Sequence, residues 1–539
     1  MVCLAIGGSL LLLTVSALAT RDRAPPGARA RPARSALDHD DSYRQVLLVP
    51  RPVTVAPGVH QLGAMSLSAV YAIETSTGLV LVDAGLEEDH DLLIRQMVEL
   101  GLEPDQVEAI LLTHAHGDHS LGAMPLKRRF GAAIYAGKDD ARALREGGPH
   151  EAIFSMYDMP ESEVHATDVD VELAGGEMLA FGDTRIEVIA APGHTPGSTC
   201  FVLNRGGSRI FFAGDTVMAS RVLGTYPAYL SPRYRGDARA FLATLRKLSA
   251  LPTPDIVLPG HPRDDRLPQH PRVAPAQWTS MLDRGIKELE ELIERQEADG
   301  PDFLDGVPKE LLPGLYYLGD LDSCAEYVLA TPSELLLFDA PGGPGLPEWL
   351  DSRLRETALG SRPLTAVLLT SCGQESTSGL AALVETTSCR VVSSEAGAAV
   401  LRRLGVPDTR LLPVESLWAD GWIDVRTVPL ADVRPGAMAY IFPWCGKTVL
   451  VSGRTPVQEG AAGRATLEHV LAGRPEDIGA YQESLYRLLD VNPNLWLPAE
   501  PLHGRNANLY STVWSHLLSY SISKLRYGVD RPPSSQERH

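Results

Sequence analysis

The sequence predicts an α/β protein in which mixed β-sheets are flanked by helices, with the whole arrangement built twice along one chain of 539 residues. Three observations carry this reading. Short apolar, strand-like runs alternate with segments whose apolar residues recur at helical spacing. Several runs end in a turn bearing His or Asp: GLVLVDAG (Asp83), LLTHAHGDHS (His114, His116, Asp118, His119), APGHTPGS (His194), FFAGDTV (Asp215) and VLPGHP (His261). The runs also return half a chain later. PGVHQLG at 57 recurs as PGLYYLG at 313, GLVLVDAG as ELLLFDAP, and AILLTHAHGDH as AVLLTSCGQES.

Composition sets the limits. A length of 539 residues exceeds one ordinary core, and 44% hydrophobic with 22% charged residues fits a globular protein of several domains. A formal net charge of −19 argues against a phosphate-binding surface, hence against nucleic acid as a partner. The six cysteines form no CxxC and fall on none of the turns in the first half that bear His or Asp, so neither a disulfide framework nor a thiolate metal site is expected.

In chain order, residues 1–19 hold an uncharged apolar run ending in Ala17-Leu18-Ala19, which reads as a secretory signal peptide. The absence of a preceding Lys or Arg, with Arg21, Arg23, Arg29, Arg31 and Arg34 following, fits an N-terminal membrane anchor instead. The expected location is accordingly exported, periplasmic or secreted, or membrane-anchored. Residues 20–43, rich in Arg, Pro and Ala, form a flexible leader.

A first domain over 44–275 opens with strands near Val59 to Leu62, Ser68 to Glu74 and Gly78 to Val82. His90 to Leu100 follows as a helix, with Leu92, Leu93, Met97 and Leu100 on one face. Strands are expected at Ala109 to Thr113, Ala132 to Ala136, Glu177 to Phe181 and Arg185 to Ala190, with a helix around Asp140 to Glu146. A hairpin pairs Thr199 to Asn204 with Arg209 to Ala213 around Arg205-Gly206-Gly207. Ala238 to Leu248 is helical, and Asp255 to Leu258 is the strand that delivers His261. Tyr226, Tyr229, Arg233 and Tyr234, like Arg221, either line a cleft or pack as a surface loop. A linker helix in 276–300 carries Leu282, Ile286, Leu289 and Ile293 on one face. The second domain spans 301–505, and 506–539 forms a closing helix with Leu509, Val513, Leu517, Leu518 and Ile522, then a polar tail.

The stretch 111–120 is a metal-ligand cluster. At the end of an extended strand His114 and His116 point the same way, and Asp118 and His119 reach back from the turn that follows. Imidazoles with a carboxylate suit zinc, and iron or manganese also accept these donors.

The complete set of five motifs, in this order, resembles the metallo-β-lactamase superfamily over roughly residues 57–265. The resemblance implies an αββα sandwich and two Zn2+ ions. His114, His116 and His194 would bind one ion, Asp118, His119 and His261 the other, and Asp215 would bridge them. Asp83 would stand behind the HxHxDH turn. It further implies a hydrolase acting on a small-molecule substrate. A water between two ions loses its proton near neutral pH and becomes the nucleophile, with Asp118 as the catalytic residue that steers the proton.

Asp215 and the stretch FLATLRKLSALPTPDIVLPGH are similar to the glyoxalase II-like branch, which implies an ester, thioester or lactone substrate. The alternatives are a zinc β-lactamase-like amide hydrolase, suggested by LGLEPDQVEAILLTHAHGDHSLGA, and a metal-retaining binding or scaffold protein without turnover.

The second half keeps the frame of the first: Asp339 minus Asp83 gives 256 and Pro498 minus Pro259 gives 239. Its ligand slots are changed. Ser371 and Gly373 stand for the paired histidines, Glu375 for Asp118, Ser376 for His119, Arg454 for Asp215 and Glu500 for His261. A guanidinium in place of a bridging carboxylate repels cations. This half is therefore expected to hold no dinuclear metal and to act as an intramolecular partner domain.

Overall fold

The computed structural model describes residues 51–499 apart from short stretches, chiefly 148–165, 262–270, 415–423 and 456–474, together with Leu518 and Ile522. Seven strands lie side by side in chain order: β1 (Val53–Ala56), β2 (Val59–Met65), β3 (Ser68–Glu74), β4 (Leu79–Val82), β5 (Val107–Leu111), β6 (Ala133–Gly137) and β7 (Val171–Leu173). The first three junctions are antiparallel and the last three parallel. Parallel neighbours need crossovers. Helix α1 (Asp91–Glu99) crosses from β4 to β5, while the short α2 (Gly117–Ser120) and α3 (Ala123–Phe130) cross from β5 to β6, and α4 (Lys138–Glu146) follows β6.

Alternation along each strand divides the core. Val70, Leu81, Ile110 and Ile134 face the helices and meet Leu93, Met97 and Leu126. Tyr71, Val80 and Leu111 face the other way, onto Phe201, Phe212 and Leu258 of a second sheet. That sheet holds β8 (Met178–Phe181), β9 (Thr184–Ala190), β10 (Thr199–Arg205), β11 (Ser208–Gly214) and, beyond the hairpin β12 (Val217–Ser220) and β13 (Gly224–Pro227), β14 (Ile256–Pro259). Its order is β14-β11-β10-β9-β8.

Two helices cover the outer face of this sheet. In α5 (Ala238–Ser249) the Asp237 carboxylate accepts the Arg239 and Ala240 amides, the expected cap for exposed N–H groups. Helix α6 (Pro275–Asp299) starts at a proline, which needs no donor there, and buries Trp278, Met281, Leu282, Leu289, Leu292 and Ile293. The sequence stripe captured only the later turns of this helix. One continuous apolar cluster runs from Val202 and Phe211 through Phe241, Trp278 and Leu292 to Tyr317, Tyr440 and Trp496. The two halves thus share a core across α6, reinforced where Lys447 pairs with Glu291 at 2.9 Å.

The second half repeats the strand order. β15 (Lys309–Leu312), β16 (Leu315–Leu321), β17 (Cys324–Ala330), β18 (Leu335–Phe338), β19 (Leu364–Leu368), β20 (Arg390–Ser393) and β21 (Leu411–Pro413) form a seven-stranded sheet with the same change from antiparallel to parallel pairing. β22 (Arg426–Pro429), β23 (Met438–Trp444), β24 (Lys447–Gly453) and β25 (Leu495–Pro498) form the facing sheet. The helices are α7 (Leu346–Arg355), α8 (Gln374–Thr377), α9 (Leu380–Thr386), α10 (Glu395–Arg403) and α11 (Pro475–Leu489).

Long-range bonds recur too: the Tyr71 hydroxyl donates to the Pro259 carbonyl at 2.6 Å, and that of Tyr327 to Pro498 at 2.9 Å. Asp83 and Asp339 both adopt left-handed backbone, φ 62° and 64°, a conformation aspartate tolerates better than most residues.

Strands β1, β7, β12 and β13 go beyond the sequence reading. The apolar run 1–19, the leader, Glu500 and most of the closing helix lie outside the described residues, although Leu518 and Ile522 are buried in the shared core. Among the described residues no helix is long and apolar enough to cross a membrane.

Candidate metal centre

Strand ends bring the predicted residues to one rim of the sandwich. His114 and His116 follow β5, Asp118 and His119 lie in α2, His194 sits between β9 and β10, Asp215 follows β11 and His261 follows β14. All but His261 are buried. Their donor atoms converge in three overlapping groups, each within 4.8 Å: His114, His116 and His194; His114, His119 and Asp215; Asp118, His119 and His261.

His194 Nε2 lies 3.1 Å from His116 Nδ1, and His119 Nε2 lies 3.4 Å from His261 Nε2. Asp118 Oδ2 is 3.3 Å from His261 Nε2 and 3.5 Å from His119 Nε2. Asp215 sits between the sets: its Oδ2 is 3.5 Å from His194 Nε2 and 3.1 Å from His261 Nε2, while its Oδ1 is 3.4 Å from His119 Nε2.

A shell of hydrogen bonds sets which nitrogen faces inward. His119 Nδ1 lies 2.8 Å from Asp83 Oδ2, so that nitrogen carries the proton and Nε2 presents a lone pair to the centre. Asp83 also accepts the Thr113 amide at 2.8 Å and the Thr113 hydroxyl. His114 Nδ1 is held by Thr113 Oγ1 at 3.0 Å, which turns its Nε2 inward as well. The Ser68 hydroxyl donates to the Asp118 carbonyl and fixes the turn from β3.

The donor set fits a cation. His114 Nε2 and Asp215 Oδ1 are buried without a hydrogen-bond partner, a costly state for a protein with nothing to bind there. Burial, then neighbouring His119 and His116, hold His114 well below the usual imidazole range, keeping it a neutral donor. For His119 burial works downward, yet Asp118, Asp215 and Asp83 outweigh it and hold the pKa well above normal. His261 behaves alike, with burial opposed by Asp215 and Asp118. Burial would raise Asp215, but His261 and His119 drive it well below the carboxylate range. Carboxylates concentrated around imidazoles thus call for positive charge, which bound cations supply.

The residues singled out after Asp215 fare differently. Tyr229 is buried in the apolar core beside Phe241 and Leu289 rather than lining a cleft, and Tyr226 pairs with Met218 in the β12/β13 hairpin. Arg221, Arg233 and Tyr234 lie outside the described residues. In the second half Ser371 and Ser376 bond each other at 3.0 Å, and Arg454 donates to Cys324 Sγ at 3.1 Å. Among the described residues, groups of three metal-capable donors occur only in the first half.

An α/β sandwich with histidines and aspartates gathered at its strand ends is a scaffold for metal-assisted hydrolysis. Residues 65–261 match the family model of the metallo-beta-lactamase superfamily. The chain is 30% identical over 183 residues to the hydroxyacylglutathione hydrolase GloC of Haemophilus influenzae, a match covering 34% of this chain and 78% of that protein. A hydroxyacylglutathione hydrolase of Cereibacter sphaeroides is 32% identical over 152 residues, 28% of this chain and 47% of the relative, so the chain spans about half of that relative's length. Among solved structures, a subclass B3 metallo-beta-lactamase of Bradyrhizobium japonicum aligns at 25% identity and a TM-score of 0.37, covering 47% of this chain and 98% of that one. The chain belongs to the metallo-beta-lactamase superfamily and is a hydrolase of that fold.

Proposed function

We propose that residues 44–275 form a dinuclear zinc hydrolase domain acting on an ester, thioester or lactone. One observation carries the reading: the Asp215 carboxylate reaches both donor sets, 3.5 Å from His194 on one side and 3.4 Å from His119 on the other. His114, His116 and His194 would hold one ion, Asp118, His119 and His261 the second, with Asp215 shared; the donors also accept iron or manganese. When bound, the ions supply Lewis acidity and a water acidic enough to attack at neutral pH.

The chain's own part is positional. Asp83 and Thr113 fix the inward nitrogens of His119 and His114, burial excludes bulk water, and Asp118 is placed to accept and pass on the proton. Relatives named hydroxyacylglutathione hydrolases support a thioester, since an acylated glutathione sulfur is one.

Residues 301–505 we read as a degenerate copy that acts as a partner domain, joined through the linker helix at 276–300. The repeated sheet order and the core shared across α6 support this. Residues 1–19 we read as a signal peptide or membrane anchor, which implies export or anchoring.

The test is initial hydrolysis rates of the zinc-loaded chain on an acyl thioester, a lactone, a chromogenic β-lactam and a phosphodiester, each with a chelator control. Chelator-sensitive turnover of the thioester or lactone is expected. Turnover of the β-lactam alone would move the assignment to an amide hydrolase, and two bound metals without turnover would make the protein a binding module.

A further inference from the structure

We propose that Asp140, on the first turn of α4 and remote in sequence from every motif of the centre, is the positioning residue that locks the three-histidine set. This rests on the metal-centre reading above.

Asp140 is fully buried. Its Oδ2 accepts the Ala115 amide at 3.0 Å, which lies between His114 and His116, and the Thr195 hydroxyl at 2.6 Å, directly after His194. Its Oδ1 accepts the Gly197 amide at 3.0 Å. One carboxylate therefore ties together the two loops that supply all three imidazoles. The loops pack tightly around it: a Cβ on Gly197 would fall 2.6 Å from the Asp140 Cβ. Arg235 Nη1 stands 3.9 Å from Asp140 Oδ1, and its segment is pinned to the same loop where the Asp237 amide donates to the Gly193 carbonyl at 2.9 Å. The carboxylate thus has its counter-charge at hand.

The second half supplies an internal control. Gly397 occupies the matching position on α10, at the same spacing from Asp140 (397 minus 140, 257) as Cys372 from Ala115 (372 minus 115, 257). There the Cys372 amide donates straight to the Pro435 carbonyl at 2.8 Å. A Cβ on Gly436 would fall 2.7 Å from the Gly397 Cα, and one on Gly397 would fall 2.7 Å from Cys372 Sγ. The loop glycine packs onto the helix in both halves, since a Cβ on Gly197 would fall 2.4 Å from the Asp140 amide nitrogen; what the second half lacks is the carboxylate, and the amide it would hold turns to Pro435 instead. The carboxylate is present where the histidines are and gone where they are gone. By contrast, the Asp–Thr bond behind the turn persists in both halves: Asp339 accepts the Thr370 amide at 2.7 Å just as Asp83 accepts that of Thr113. That bond serves the fold, whereas Asp140 serves the three-histidine set.

The experiment is competitive chelator titration of Zn2+, with visible spectra of the Co2+-loaded full-length protein, for the unmodified chain and for Asp140→Ala and Asp140→Asn. Asp140→Ala should weaken one of two metal equivalents about 10- to 100-fold, as loss of a residue supporting metal ligands does, leave the other unchanged, and alter one of the two cobalt signatures. Asp140→Asn, which retains an acceptor for Ala115 and Thr195 but not for Gly197, should fall between. Equal weakening of both equivalents, or no change in either, would overturn the proposal. An unmodified chain that binds no metal would instead overturn the metal-centre reading, and this inference with it.

Discussion

Replacing Asp83 with asparagine separates the metal function of this residue from its structural one. The carboxylate receives the Thr113 amide and the Thr113 hydroxyl, and it accepts the proton of His119 Nδ1 at 2.8 Å. In Asp83→Asn the amide oxygen keeps the Thr113 N–H, because a buried amide left without an acceptor costs about 1–3 kcal/mol. That choice turns the side-chain NH2 toward His119 Nδ1, which must then accept. The imidazole proton moves to Nε2, the nitrogen facing Asp215 and His261, and a protonated nitrogen cannot bind a cation.

In the metal-free chain Asp83 helps hold His119 protonated, so its replacement removes a hydrogen bond to a charged group and stability should fall by about 1.5–3 kcal/mol. Zn2+ affinity at the set holding His119 should drop about 10- to 100-fold, or about 1.4–2.8 kcal/mol. Urea denaturation of the metal-free protein gives the first quantity and competitive chelator titration the second. An Asp83→Asn chain that holds both equivalents as tightly as the parent would refute the tautomer argument.

His116→Ala should remove one metal equivalent and lower turnover by several orders of magnitude, read by metal analysis and initial rates; near-normal rates would remove it from the ligand set. Trp278→Ala, emptying a buried site against Phe211 at the junction of α6 and the second sheet, should cost about 3–5 kcal/mol in chemical denaturation. Residues 44–275 expressed alone would expose the α5 face that α6 covers, and should melt well below the full chain; equal stability and activity would show that the second half contributes neither. Burial raises Asp339 to about 6 from an ordinary 3.8. Its native form binds the proton more tightly than the unfolded chain, so the contribution of this one group to stability is greatest at low pH and declines as pH climbs from about 3.8 to 6. Asp339→Asn should abolish that decline, worth at most about 3 kcal/mol, in denaturation at pH 4 compared with pH 6.5.

The residues of the candidate centre were legible because they follow apolar strands directly or one short turn later. A histidine or aspartate at the end of β5, β11 or β14 is placed by the strand itself, and spacing within LLTHAHGDHS does the rest. Asp140 was not legible. Its partners Ala115 and Gly197 lie far off in the chain, and an aspartate in the first turn of a helix has an ordinary reason to be there. Tyr229 misled in the other direction: a tyrosine-rich stretch after a metal-bearing turn suggests a cleft, but the long apolar face of α6 claims that side chain for the core. The β12/β13 hairpin was missed because its four-residue strands carry Gly, Ser and Pro where an alternating pattern would have announced them.

Charge is what distinguishes the two halves of the repeated frame. Around the first centre Asp83, Asp118 and Asp215 face imidazoles that carry no obligatory charge, and Asp215 Oδ1 and His114 Nε2 stay without hydrogen bonds. Positive charge must come from solution. In the second half Asp339 remains, and Arg454 occupies the Asp215 position close enough to pull the Asp339 pKa down against its burial. Arg434 adds a second guanidinium, donating to the Arg454 carbonyl at 3.0 Å and lying 4.0 Å from Glu375. The cation is thus part of the chain, permanently charged and unable to dissociate. Building a centre there would take more than replacing Ser371 and Gly373 with histidine. Arg454 would have to become an acid at the same time, since two ions placed beside this half-buried guanidinium meet like charge in a medium that screens it less than water does.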